Sequence, residues 1–187
     1  MTGAAKPGRA AVGRPIVLSL GGNLGNRFET LQAAVDALVD TPSVRIAAVS
    51  SVYETEPFGG PAGRAGSRDL SAQPTFLNAV LLGTTDLAPG TLLERALAIE
   101  QALGRERTER WEARAVDVDV IAVGDLIQPG PALILPHPRA HERAFVLVPW
   151  LELDPQAELP GHGAVAELLA GIAKDGVTRR GDLQLQL

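Results

Sequence analysis

The strongest chemical signal in the chain is Asp117-Val118-Asp119, bracketed by Val116 and Val120. Side chains alternate along a strand with a period of two. A strand here turns both carboxylates to one side and the valines to the other. Two carboxylates on one rigid face repel each other unless a cation lies between them. Hard divalent cations take oxygen ligands, and Mg2+ commonly uses one or two carboxylates together with substrate phosphates. Asp-x-Asp is also a common spacing on the solvated face of an edge strand, so the pair alone does not decide. Arg105, Arg107, Arg110 and Arg114 lie just upstream, interleaved with Glu106, Glu109 and Glu112. Most such runs are self-paired, solvated loops. Beside two aspartates, the alternative is an arginine clamp for a polyphosphate, because guanidinium forks match phosphate oxygens bidentately.

Further polar residues stand where polarity is unusual. Trp111 sits inside the charged stretch, either as a surface anchor or as a residue that stacks over a ligand. His137 is held between Pro136 and Pro138, with Arg139, His141 and Arg143 following, and is compatible with a phosphate contact or with a rigid surface loop. Asn78 interrupts an apolar strand between Leu77 and Ala79. Facing inward, its amide needs partners, since an unpaired buried amide costs roughly 1–3 kcal/mol. A heterocycle edge, a backbone group or an edge position would each provide them. Gly21-Gly22-Asn23-Leu24-Gly25 follows a strand and precedes a helix, but lacks the Gly-Lys-Ser/Thr of a P-loop and the spacing of a dinucleotide fingerprint. It is a tight turn that brings backbone close to its neighbours.

Composition sets the limits for these groups. At 187 residues, 45% hydrophobic and 21% charged, the chain is long enough for one well-cored domain and is not globally disordered. It has no Cys, which excludes disulfides and thiolate metal sites, and its three His are not at zinc-ligand spacing. A net charge of -5 argues against a nucleic-acid coat. No apolar run approaches a membrane span, and residues 1–15 lack the apolar centre of a secretory signal. The expected compartment is the cytoplasm.

The elements that must position these residues follow from periodicity. Residues 16–20 are a buried-strand run. Asn26 caps a helix over 27–40, where Leu31, Ala34, Val35 and Leu38 recur at helical spacing, and Pro42 stops it. Residues 44–53 are rich in β-branched side chains and read as a second strand. Residues 54–74 hold four glycines and three prolines with few large apolar side chains before a third strand at 76–82, and form a long loop. Pro89 begins a helix reaching Leu103, and 116–123 is a fourth strand. Residues 128–138 are proline-rich and extended. The apolar stretch 145–153 suits helix or strand, and 164–172 is the last helix. The order β-α-β-loop-β-α-β makes two split β-α-β halves in one sheet. That is an α+β, ferredoxin-like plan, mostly antiparallel, with helices packed on one face and long flexible loops over the active site. The expected organisation is a disordered extension over 1–15, a single domain over 16–175 and a weakly ordered tail over 176–187.

Taken together, these segments resemble the 6-hydroxymethyl-7,8-dihydropterin pyrophosphokinase family of folate synthesis. The likeness covers roughly 16–155. It rests on Leu-Gly-Gly-Asn-Leu-Gly near the start, Ser-Ser-Val-Tyr-Glu-Thr-Glu-Pro-Phe-Gly at 50–59 and Gln-Pro-Thr-Phe-Leu-Asn-Ala-Val at 73–80. It continues with Ile-Glu…Gly-Arg-Glu-Arg…Arg-Trp-Glu-Ala-Arg-Ala-Val-Asp-Val-Asp at 99–119 and closes with Pro-His-Pro-Arg-Ala-His-Glu-Arg-Ala-Phe-Val-Leu at 136–147. The resemblance implies transfer of pyrophosphate from ATP to the pterin hydroxymethyl oxygen, with AMP as the other product. It implies two Mg2+ ions held by Asp117 and Asp119, with Arg105 and Arg114 acting on the transferring phosphates. It implies a pterin ring between Phe76 and Phe145, read by Asn78 and by backbone at Thr55 and Phe58. Glu100, Arg107, Arg110, Trp111, Val120, His137 and Arg143 fall on the ATP side. The implied partners are these small molecules, with no nucleic acid, no membrane and a monomeric chain. Four features depart from the family pattern: Glu112-Ala113 in place of Gly-Pro, Pro138 for an aromatic residue, Leu97 for a polar one, and a longer 59–72 loop. The readings weighed against this one are a non-catalytic ferredoxin-like sensor or RNA-binding module, and a different Mg2+-dependent phosphotransferase.

Overall fold

A computed structural model describes residues 13–57, 74–104, 115–174 and 176–187. Strand β1 (Arg14–Gly22) is the sheet's organising element, with β4 (Phe76–Thr85) antiparallel on one side and β5 (Asp117–Val123) antiparallel on the other. Two helices fill the crossovers: α1 (Arg27–Val39) leads from β1 to β2 (Val44–Val49), and α2 (Pro89–Ala102) leads from β4 to β5. Because β2 pairs with β4 and β5 with β1, each crossover skips one strand, which gives the two split β-α-β halves read from the sequence.

The helices form where their signals lie. Asn26 Oδ1 accepts from the Glu29 backbone N at 3.4 Å, and the predicted stripe Leu31, Ala34, Val35 and Leu38 is buried. Pro89 starts α2, whose buried stripe is Leu92, Ala96 and Ile99. Both stripes pack with Ile16, Leu18, Leu20, Leu77, Leu81, Val118 and Val120 into one core on one side of the sheet.

Helices cover both faces, not one. Residues 145–153 fall in α3 (Ala144–Leu153), and α4 (Val165–Ala170) follows a two-strand ribbon, β6 (Glu158–Leu159) with β7 (Gly163–Ala164). Val146, Leu147, Trp150 and Val165 bury Val17, Val80 and Ile121 from the opposite side. The sheet therefore has a second core, which a run as evenly apolar as 145–153 does not announce by periodicity.

Two further expectations are corrected. The 44–53 strand is broken: β3 (Tyr53–Thr55) pairs with the start of β4, β2 with its end, and Ser50 bridges the break. Ser50 N donates to Val80 O at 2.9 Å, and its Oγ accepts from Val80 N at 3.0 Å. Glu54 and Thr55 thus belong to a strand and not to the expected 54–74 loop, of which residues 58–73 lie outside the described residues. The tail is ordered. β8 (Val177–Arg179) pairs with β3, Leu185 is buried in the first core, and Gln186 N donates to Gln32 Oε1 at 2.9 Å.

Candidate active site

Asp117 and Asp119 occupy alternate positions on β5 and are half-buried, while Val118 and Val120 between and after them are in the core. Both carboxylates thus leave the sheet on the α3 side. Their cross-strand neighbours are Gly21 and Ser19. Gly21 in turn faces Asn78, and Asn78 faces Tyr53. Asn78, Gly21 and Asp117 therefore form one row across three strands, with roughly 10 Å between its outer members, since adjacent strands lie about 4.8 Å apart.

The glycine pair makes this row possible. A Cβ on Gly21 would stand 2.9 Å from Asn78 Oδ1. A Cβ on Gly22 would run into the carbonyl oxygen of Ala115, just before the acidic strand. The pair thus lets the Asn78 amide lie over bare backbone and lets the entry to β5 approach β1 closely. Asn78 is 3% exposed, and its Nδ2 donates to Thr55 Oγ1 at 2.8 Å. Thr55 and Phe76 are the next cross-strand pair on the same face. Phe76 and Phe145 are both half-buried, Phe76 on this face and Phe145 in the first turn of the helix that covers it.

β5 is the terminal strand of the described sheet, and its outer edge faces a cavity of about 370 Å³. α2 contributes Leu93, Leu97 and Glu100, the strand contributes Asp117 to Val120, and the proline-rich segment and its continuation contribute Ile134, His137 and Arg143. An edge strand presents backbone donors and acceptors outward. Two of these are already used. Glu100, 2% exposed, accepts from Val118 N through Oε1 at 2.7 Å, and His137 N donates to Ile121 O at 2.8 Å. Val120 lies between them. The mixture of apolar walls and strand backbone suits a flat heterocycle with polar edges.

Charge is concentrated where the row meets this cavity. Arg143 Nη1 donates to Asp119 Oδ2 at 2.7 Å, and its Cζ lies 5.6 Å from the Phe145 ring centre. Burial pulls His137 below the ordinary histidine range; Asp119 nearby opposes this, while Arg143 and Arg139 reinforce it. Its Nδ1 accepts from Arg139 N at 3.2 Å, which assigns the proton of the neutral ring to Nε2.

The structure thus gathers Asp117, Asp119, Val120, Glu100, His137 and Arg143 around one cavity, and Thr55, Phe76 and Asn78 on the adjoining sheet face. Phe58, Arg105, Arg107, Arg110, Trp111 and Arg114 lie outside the described residues. Leu93 and Ile134 were not foreseen as lining residues. The available signal was the extended 128–138 segment, which folds back through a bridge between Gln128 and Leu135 to wall the cavity.

Known proteins share this fold and much of this sequence. The fold is that of solved Plasmodium falciparum HPPK-DHPS chains, such as the A437G form with SDX-DHP, at a TM-score of 0.63 and 15% identity; 85% of this chain is matched, but only 45% of that one. The chain thus spans less than half the length of those solved proteins. Residues 17–155 match the model of the 7,8-dihydro-6-hydroxymethylpterin-pyrophosphokinase family, and the chain belongs to that family. Curated relatives called 2-amino-4-hydroxy-6-hydroxymethyldihydropteridine pyrophosphokinase include that of Methylorubrum extorquens, 40% identical over 87% of this chain and 96% of its own length. That of Pseudomonas aeruginosa is 38% identical over 88% and 95%, and that of Mycobacterium leprae 39% identical over 91% and 87%. The chain is accordingly an enzyme of the pyrophosphokinase type, acting in folate biosynthesis with ATP as co-substrate.

Proposed function

We propose that the Asn78–Gly21–Asp117 row is the pterin half, and the β5-edge cavity the nucleotide half, of one active site. There pyrophosphate passes from ATP to 6-hydroxymethyl-7,8-dihydropterin. The observation that carries this is the register: a buried amide and a pair of carboxylates sit two strands apart on one sheet face, with only glycine between them. In this reading Asn78 and the backbone at Thr55 and Phe58 bind the pterin's polar edge, and Phe76 and Phe145 take its two faces. Val120 backbone, Glu100, His137, Arg143, Arg107, Arg110 and Trp111 bind ATP. The substrate oxygen attacks the β-phosphorus and loses its proton, the bond from that phosphorus to the α,β-bridging oxygen breaks, and AMP leaves. Arg105 and Arg114 balance charge on the transferring group.

The donor set fits Mg2+. Two half-exposed carboxylates share a face, and among the described residues no group of three or more His, Cys, Asp or Glu side chains would complete a metal shell without substrate oxygens. Asp117 and Asp119 would hold two such ions, which when bound supply neutralisation and alignment of the triphosphate. All the groups named belong to one chain, and a monomer is the working unit in this reading. No described helix is long and apolar enough to cross a membrane. With no Cys in the chain and ATP as co-substrate, the compartment assigned is the cytoplasm.

The test is an assay for AMP formed from ATP and hydroxymethyl-dihydropterin, run on the wild type and on Asp117→Ala and Asp119→Ala. AMP is expected from the wild type, and each variant should lose at least about a hundredfold in turnover while keeping its melting temperature within a few degrees. ADP as product, or near-wild-type turnover in either variant, refutes the assignment.

A further inference from the structure

Glu54 lies between Tyr53 and Thr55 but faces the other way. Its cross-strand neighbour is Leu77, a residue of the α1–α2 core, whereas Tyr53 and Thr55 pair with Asn78 and Phe76. Glu54 therefore cannot touch a molecule lying on the Asn78 face. Yet it ties three other segments to β3. Its Oε1 accepts from Arg27 Nη1 at 3.0 Å and from Thr75 Oγ1 at 2.6 Å, and its Oε2 accepts from Arg180 Nη1 at 2.8 Å. Arg27 also donates to Thr75 O at 2.7 Å. Arg180 forms a second pair with Asp182, at 2.9 and 2.7 Å, and its backbone N donates to Val52 O at 2.8 Å.

Two members directly adjoin residues of the pterin half, and the other two open or follow elements that flank it. Glu54 precedes Thr55, and Thr75 precedes Phe76. Arg27 opens α1 directly after the glycine loop, which Asn23 also ties to Pro74 O at 3.3 Å. Arg180 follows β8, the strand paired with β3. Arg27, Glu54 and Arg180 side chains are only 26–29% exposed, so the network is shielded more than an ordinary surface pair.

We infer that Arg27, Glu54, Thr75 and Arg180 form a charged clamp behind the sheet, and that through it the carboxyl-terminal segment sets the position of Thr55 and Phe76 and hence the affinity for the pterin substrate. These are positioning residues. A shift of β3 against β4 at this point moves Thr55 Oγ1 away from Asn78 Nδ2, and the hydrogen bond that orients the amide is lost. The clamp also holds the Glu54 carboxyl below the usual carboxylate range, with the Thr75 hydroxyl the largest cause. The inference rests on the pterin half being where the proposed function puts it.

The experiment measures KM for pterin, KM for ATP, kcat and melting temperature for the full-length wild type and for Arg180→Gln, Arg180→Lys, Glu54→Gln and Thr75→Val, with Asn78→Ala alongside. Arg180→Gln and Glu54→Gln should raise pterin KM roughly three- to tenfold, with ATP KM and kcat within about twofold of wild type. Combining them should add little to either alone. Arg180→Lys should recover part of the effect, and Thr75→Val, which leaves the tail untouched, should show the same selectivity. If Asn78→Ala raises pterin KM but Arg180→Gln, Glu54→Gln and Thr75→Val do not, the positioning role is overturned while the site stands. Equal changes in both KM values, tracking a fall in melting temperature, overturn it as well. If Asn78→Ala leaves pterin KM unchanged, the pocket assignment fails, and the inference with it.

Discussion

Gly21 and Gly22 are adjacent and identical, yet the structure assigns their substitution opposite outcomes. In Gly21→Ala the new methyl would stand 2.9 Å from Asn78 Oδ1, closer than carbon and oxygen ordinarily approach. The amide can turn aside, but only by stretching its 2.8 Å hydrogen bond from Nδ2 to Thr55 Oγ1, which costs about 1 kcal/mol. Alanine returns about 0.4–1 kcal/mol by reducing the freedom of the unfolded chain. These terms nearly cancel, so the melting temperature should move by no more than a few degrees. The orientation of the Asn78 amide has no such offset. Losing one or two well-aligned hydrogen bonds to substrate should raise pterin KM roughly ten- to a hundredfold, at about 1.4 kcal/mol per decade. ATP affinity should stay within about twofold, because Gly21 does not line the β5-edge cavity proposed for the nucleotide. In Gly22→Ala the methyl meets main chain, the Ala115 carbonyl, which no rotamer can move. That strain should cost about 2–4 kcal/mol of stability and displace the entry to β5, impairing both substrates. Steady-state kinetics in each substrate, with thermal melts, separate the cases. A Gly21→Ala enzyme with normal pterin KM, or a Gly22→Ala enzyme as stable as wild type, refutes this account of the loop.

Phe145→Ala should weaken pterin binding by one to two orders of magnitude, since an aromatic side chain contributes roughly 1–3 kcal/mol where it stacks on a ring, and leave ATP binding nearly unchanged; equal weakening of both in titration calorimetry would remove Phe145 from the pterin pocket. Tyr53 is the chain's one tyrosine, so tyrosinate absorbance reports it alone. Burial, and then the hydrogen bond its hydroxyl donates to Glu152 Oε2 at 3.0 Å, push it up to about 12 from 10.0. A raised folded-state value favours the neutral phenol, so its contribution to stability is fully present below pH 10.0 and is lost as the pH rises to about 12. The absorbance midpoint should accordingly fall on unfolding in denaturant and, by a smaller amount, in Glu152→Gln; a native midpoint near 10 would refute this.

Much of the site was legible because it depends on alternation and punctuation, which are local. Asp117 and Asp119 share a face because Val118 and Val120 are core residues of a strand, and that pattern is visible in five letters. Asn78 stood out as a polar break in an apolar run, and Asn26, Pro42 and Pro89 marked helix ends. What was not legible depends on encounters distant in sequence. Nothing local shows that Gly22 meets Ala115, or that Arg180 reaches Glu54 across 126 positions. The second core was half visible. The run Val120–Val123 is apolar at every position, as a strand covered on both faces must be, but the covering helix has no polar side by which to recognise it. The tail was undervalued for a related reason. Leu183, Leu185 and Leu187 alternate with Gln184 and Gln186, yet such a segment gains order only by lying on a core built by the rest of the chain.

The electrostatic question raised by two carboxylates on one strand face has an answer inside the protein itself. Arg143 stands at the N-terminal cap of α3, 15% exposed, and places a guanidinium nitrogen 2.7 Å from Asp119. This positive charge beside Asp119 offsets part of the repulsion between the two acids on that face. The same guanidinium lies by the ring of Phe145, so it stands beside a member of each proposed half of the site. Asp119 remains 33% exposed, and the pair opens onto the β5-edge cavity instead of being sealed in the core. A sealed ion pair resists exchange because either partner would be left unpaired in a low-dielectric interior. On the proposed function, a triphosphate with its own counter-ions would satisfy both partners at once at this boundary, the guanidinium through phosphate oxygens and the carboxylate through the cation. On the proposed function, the pair would therefore ease the repulsion between the acids and still give way to phosphate and cation contacts.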